Sequence, residues 1–334
     1  MSDPNQQFQP PPPPPIQLES AAPRPTKLRP VAVGSFVVGL IILVLGIAKV
    51  LPGGLATGLA FCFWGIVLFA FSFIPLPQPG SGDDPPMSGL QKVLGIFYEP
   101  TRVFRNLRSH PYWLAAFLLI AIFNAGYYAV FVQRLGPERI VNYTFEKMEQ
   151  SPIKPPPDRM EAAKEEALLK ERQPVQRIQT AAKSFVGVFC FSAFIALLYF
   201  LGVMAFGGRM NFWQAFAAVL YAYLPVIVIS KLASLVILFI KDPDDIHPIL
   251  GQETLLRADN LGILFSPGDH PALFSLGSAI GVLSFYGLWL KAKGLANAGS
   301  KVSSSAAWGV AITLWVLAVI LGMIFATLFS SFIS

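Results

Sequence analysis

The chain has 334 residues, 54% hydrophobic and only 13% charged, with 28 Phe and a formal net charge of +6. A soluble domain carries about 25% charged residues, so this composition excludes a water-soluble globular protein. Nucleic acid is excluded as the partner of the basic excess, because Lys and Arg are scattered through loops and not gathered on one face; a bilayer with anionic lipid is the partner that the charge implies.

Residues 1–30 carry the run Pro10 to Pro15 and hold too little apolar surface to build a core, so they read as a flexible, disordered tail, extended like polyproline II, with a docking strip for an aromatic-grooved partner as the alternative. Val31 to Leu51 and Gly54 to Ile74 are two apolar runs of spanning length, charged only at Lys49 near the end of the first, joined by Pro52-Gly53-Gly54, where Pro stops the first helix and Gly permits positive φ. Gly54 and Gly58 form a small-xxx-small pair for close helix contact. Residues 75–86 are a Pro- and Gly-rich linker and a domain boundary.

Residues 87–110 form an amphipathic surface segment. Leu90, Val93, Leu94 and Phe97 fall at helical spacing, the series resumes after Pro100 at Val103, Phe104 and Leu107, and Arg102, Arg105 and Arg108 share a flank. With Lys92, these three arginines are the expected contacts for anionic headgroups. A third span, Tyr112 to Val132, follows the Ser109-His110-Pro111 stop. Residues 134–183 make a long loop with ten basic against eight acidic residues. Within it, Asp158 as N-cap, Glu161 three residues on and a Glu166–Lys170 pair predict one exposed helix ending near Pro174.

Further spans are predicted at Ser184–Phe206, Ala215–Ile240, Pro271–Leu290 and Ala306–Phe329, with an acidic outer loop at 241–270. Seven spans place segments 1–30, 75–110, 207–214 and 291–305 on one side, with eleven basic and five acidic residues among them. Short basic loops face the cytoplasm, so the N-terminus is expected there and the C-terminus outside. Trp113, Trp213 and Trp289 fall at predicted boundaries, as interfacial anchors do.

Gly95-Ile-Phe-Tyr-Glu-Pro-Thr-Arg-Val-Phe-Arg-Asn-Leu-Arg-Ser-His-Pro-Tyr-Trp113 resembles the opening of bacterial Yip1-domain proteins, a Pro-x-x-x-Phe elbow and a Trp that lead into a five-helix membrane bundle. The likeness continues through Gly208–Phe216, Tyr221–Pro225, Asn260–Phe265 and Gly294-Leu295, and covers roughly residues 87–332. Two departures stand out: Gly281 and Tyr286 replace an Asp and a Trp common in bacterial members, and the Asp-Leu-Tyr-Gly-Pro motif of eukaryotic members is absent, so Rab GTPase association is not carried over. The resemblance implies an all-α polytopic membrane protein with seven transmembrane helices, an N-terminal hairpin (31–74) plus a five-helix bundle (87–332), located in the bacterial inner membrane. It also implies binding in place of catalysis, since known members lack an enzymatic activity, and partners met through the tail and elbow, with a homo-oligomer as one candidate assembly.

Chemistry is sparse. Lys231 is the one ionisable residue well inside a span, and with Pro225 upstream it makes a candidate intramembrane ion or solute site, against the plainer reading of a lysine whose stem reaches outward to water. The Asp242–His247 turn, with Asp269 and His270, carries hard-metal donors, but acidic turns of this kind are common without metal. Cys62 and Cys190 both lie in apolar runs and read as buried hydrophobes. No hydrolase, nucleotide or zinc motif is present, so neither a cofactor, a metal nor an enzyme is expected. A non-enzymatic scaffold is the leading reading; a small-solute or ion permease using Pro225 and Lys231 is the alternative.

Overall fold

The computed structural model describes residues 24–79, 84–151 and 156–333; the proline run of the expected tail lies outside the described residues. Among the described residues the chain is helical throughout, with isolated bridges and no strand. The hairpin is α1 (Leu28–Ile47) and α2 (Gly54–Phe71), and Gly53 takes the left-handed φ of +72° that the Pro-Gly-Gly turn predicted. The two helices touch at backbone distance. A Cβ on Gly58 would lie 2.5 Å from the Leu43 nitrogen, and one on Gly46 2.3 Å from the Leu55 nitrogen. Only glycine admits such an approach, and here it replaces the missing hydrophobic drive between helices in lipid.

The elbow is two helices, α3 (Gly89–Tyr98) and α4 (Pro100–Ser109). A Ser88/Gln91 capping box starts the first, and Pro100 holds Glu99 outside the helical region and opens the second at its first turn. There follow α5 (Leu114–Leu135), α6 (Pro137–Gln150), α7 (Pro157–Arg172), α8 (Pro174–Ala205) and α9 (Phe212–Ile240), the last begun by an Asn211/Gln214 capping box. The expected loop helix is α7. The side chains of Asp158 and Lys170, on which that expectation partly rested, lie outside the described residues. α6 is an additional helix that the sequence reading left as loop.

The sixth predicted span is not one helix. It divides into α10 (Pro271–Ala279) and α11 (Val282–Ala298), followed by α12 (Ser304–Leu328) and a short α13 (Ser330–Ile333). Six helices among the described residues are long and apolar enough to cross a bilayer, α1, α2, α5, α8, α9 and α12, so the count of seven continuous spans is corrected to six plus a broken segment. The nine residues of α10 reach about 14 Å, short of a hydrocarbon layer of about 30 Å.

The cause of the break is a returning loop. Gly281 is extended and bridges to Asn260; the Leu261 N–H donates to Ile280 O and the Val282 N–H to Asp259 O, both at 3.0 Å. Backbone freed by the interruption is thus hydrogen-bonded inside the bundle, as it must be at membrane depth. Depth follows from the neighbours: Gly287 of α11 packs on Val226 at the middle of α9, and Ser275 of α10 on Gly322 in the last third of α12. Leu261, Ile263 and Leu264 of the loop are exposed among the lipid-facing helices. The 241–270 segment is therefore not an outer loop along its whole length, because its second half re-enters the bundle.

At one end of the molecule, here the elbow face, meet Arg24, Leu76, the elbow, the 206–212 turn and the 299–304 turn. Arg209 pairs by backbone with Lys301, and Trp213 Nε1 donates to Ile74 O at 2.9 Å. The other end, the loop face, holds α6 and α13, so the described chain starts and finishes at opposite ends. A core rich in aromatic rings fills the bundle near the elbow: Trp113, Phe117, Phe185, Phe189, Trp213 and Phe216, with α2 joined through Trp64. Trp213 is fully buried in this cluster, so it is a core residue and not the interfacial anchor that its position in the sequence suggested.

Candidate functional sites

The elbow carries the first site. On α3 the residues facing away from the protein are Leu90, Leu94, Phe97 and Tyr98, which all lie within one helical stripe; Lys92, Gly95 and Ile96 occupy the opposite side and are buried. On α4 the arrangement reverses. Val103, Phe104 and Leu107 are buried, with Phe104 against Gly294 of α11, and Arg102, Arg105 and Arg108 are exposed. The single apolar face read across both halves is thus corrected: α3 turns its apolar residues outward and α4 turns its own into the bundle.

Arg102 pairs with Glu99 at 3.0 Å, and that carboxylate holds the guanidinium above its ordinary pKa. Arg108 donates to Ser300 O at 2.8 Å, which clasps α4 to the turn before α12. Lys92 is a correction. Its side chain is fully buried, donates to His110 O at 2.7 Å and lies 4.8 Å from the Tyr112 ring centre, so it does not reach headgroups. Burial pushes its ammonium down to about 8. Asn106 fastens the linker end to the elbow by accepting from Met87 N and donating to Pro85 O.

Lys231 marks the second site. It does not snorkel to water. The side chain is buried, with its ammonium donating to Glu253 O and lying 4.5 Å from the centre of the Tyr127 ring. Tyr127 in turn donates to Gly251 O at 2.5 Å, and Ser230 and Ser234 both meet the Thr254 hydroxyl, at 3.1 and 3.0 Å. Leu255 N donates to Ser234 Oγ. The loop is thus threaded into the bundle by a polar stripe of α9 and one tyrosine of α5. Sequence reasoning missed the stripe, though Ser230, Lys231 and Ser234 share one helical face and could have flagged a polar neighbour.

Beside Lys231 lies a cleft of about 1480 Å³ between α5 and α8, floored by α9. Gln133, Thr180, Ser230, Lys231, Glu253 and Thr254 line its loop-face end, and Leu118, Ile122, Phe191, Ile195 and Leu220 its deeper end. Pro225 is buried in an unbroken α9 and does not line the cleft, so the pairing of Pro225 with Lys231 in one site is not realised. The helix that does break is the α10–α11 segment.

The acidic turn has other duties. Asp242 caps the short turn at Pro243–Asp245, Asp244 pairs with Arg139 at 3.4 Å, and Arg139 also donates to Pro243 O. The His247 ring accepts from the Ile249 and Leu250 N–H groups and meets the Tyr143 hydroxyl. These contacts latch the loop to α6, and among the described residues no three His, Cys, Asp or Glu side chains converge on one point.

In comparison with known proteins, the Yip1 domain matches residues 94–326. No curated protein and no solved structure matches the chain.

Proposed function

We propose, on the premise that the chain belongs to the Yip1 family, that it is a non-enzymatic membrane scaffold whose elbow engages anionic lipid and partner proteins on the cytoplasmic face. It is a multi-pass membrane protein by family and by its six apolar helices. The observation that carries the proposal is the outward stripe of α3 beside exposed Arg102 and Arg105. Apolar side chains with flanking cations suit the boundary between headgroups and acyl chains, and each cation adds about 1 kcal/mol near an anionic surface. The basic turns gathered at this face favour its cytoplasmic orientation. The proline-rich tail would then share that compartment and supply a second docking element.

The test compares the wild type with a variant carrying Leu94→Ser, Phe97→Ser, Arg102→Gln and Arg105→Gln, both affinity-purified from native membranes. Loss of a co-purifying protein and of retained anionic lipid is expected. Unchanged partner and lipid recovery would end the elbow reading. The permease reading keeps Lys231 in its favour, and solute flux into liposomes that Lys231→Ala abolishes would put transport in place of scaffolding.

A further inference from the structure

We infer that the cleft between α5 and α8 is a binding site for an anionic phospholipid drawn from the loop-face leaflet, with its headgroup phosphate at Lys231 and its acyl chains along the apolar depth. Lys231 is a buried cation at membrane depth that forms no contact ion pair with a carboxylate among the described residues; its partners are a backbone carbonyl and a ring face, and the Glu253 carboxylate acts on it only from beyond ion-pair distance. A buried charge without an opposite charge in contact costs several kcal/mol, and a cleft opening beside it admits an anion closer than Glu253.

The shape fits the same ligand. From Leu118 to Gln133 on α5 the cleft runs about 22 Å, enough for the acyl chains of one leaflet, about 15 Å deep, plus a headgroup. Its volume of about 1480 Å³ exceeds the 300–1000 Å³ or so usual for small-molecule pockets. Its polarity runs in the lipid's own direction, with hydroxyls, an amide, the Lys231 ammonium and Glu253 at the leaflet surface and apolar side chains toward the midplane. Ile122 and Phe191, which line its midplane end, are exposed to the bilayer, so the cleft is open along its side and entry is lateral. None of this rests on the elbow, which lies at the other face.

The experiment uses the full chain carrying Arg102→Gln and Arg105→Gln, so that lipid held at the elbow does not contribute. Delipidated protein is titrated with phosphatidylglycerol, phosphatidylcholine or glycerol phosphate, and bound species are read by native mass spectrometry. Phosphatidylglycerol is expected to bind at least tenfold tighter than phosphatidylcholine. Lys231→Met should remove that preference and Lys231→Arg keep it. Gly187→Leu provides a variant that leaves the polar network alone: a Cβ there meets nothing within 4 Å, so the leucine projects into free space along the cleft and should weaken both lipids. Equal retention of the two lipids by the parent, a preference that survives Lys231→Met, or full binding in Gly187→Leu would each overturn the site. Glycerol phosphate bound as tightly as phosphatidylglycerol would show the ligand to be a free anion and overturn the lipid assignment.

Discussion

Replacing Lys92 with Met tests whether the elbow holds a buried charge. In the wild type this ammonium is fully enclosed, and its pKa falls from 10.5 to about 8 through burial. Below pH 8 the folded and unfolded chains both hold the proton. Between about 8 and 10.5 the unfolded chain still holds it and the folded chain has released it, so unfolding takes up a proton and stability rises with pH. At 1.36 kcal/mol per unit the full interval corresponds to a rise of about 3 kcal/mol. The His110 carbonyl at 2.7 Å and the Tyr112 ring at 4.8 Å favour the charged form, which lowers the expected rise to about 1–3 kcal/mol. Thermal unfolding followed by tryptophan fluorescence at pH 7.5, 9 and 10.5 should show the wild type gaining on Lys92→Met across that window. At neutral pH the variant loses the His110 bond but sheds an unpaired buried charge, so the two should lie within about 1 kcal/mol. Parallel pH curves for the two proteins would refute the reasoning.

Gly58→Leu should force α1 and α2 apart, since even a Cβ would stand 2.5 Å from the Leu43 nitrogen; a loss of about 1–3 kcal/mol and faster maleimide labelling of Cys62 are expected. Tyr221→Phe removes a buried hydroxyl that has no hydrogen-bond partner among the described residues, and should raise the unfolding temperature, by about 1 kcal/mol in stability. Gly281→Leu would place a Cβ 2.7 Å from Asp259 O, so the returning loop should be displaced and a cysteine at position 259 should become reactive to a water-soluble maleimide. A fluorescent reporter fused after Ser334 should report the compartment opposite to one fused before Met1, because the described chain crosses the bundle an odd number of times.

Much of this architecture was legible in the sequence. The Pro-Gly-Gly turn, the glycine hairpin and six of the seven spans follow from run length and from residues with one steric role, and α7 ends at Arg172 where Pro174 implied a stop. The errors share a physical origin. Hydropathy sums over a window, so Pro271 to Leu290 reads as one span, although Gly281 has no side chain to oppose an incoming strand and the partner that opens the helix lies twenty residues upstream. Periodicity marks an apolar face without saying what covers it. Leu94 and Phe104 therefore look alike in sequence, yet one faces outward and the other packs on Gly294. Lys92 reads from its charge as a surface lysine, and Lys231 as either an intramembrane site or a lysine reaching outward to water; both donate to backbone carbonyls supplied by segments 18 and 22 residues away. Trp213 failed as an anchor for the same reason, because its N–H found Ile74 O on the hairpin.

The divided α10–α11 segment sets conditions on how the chain is made. A helical piece of nine residues is too short to partition into lipid alone, and the loop that mates with it carries backbone groups that lipid would leave unsatisfied. Both pack against long helices, α9 beneath, which precedes them, and α12 alongside, which follows. Translation supplies α9 first and α12 last, so the half-built protein waits with an exposed seam until the final helix arrives. A chain shortened before α12 should accordingly be a target for membrane quality control, whereas loss of the α1–α2 hairpin would leave that seam closed.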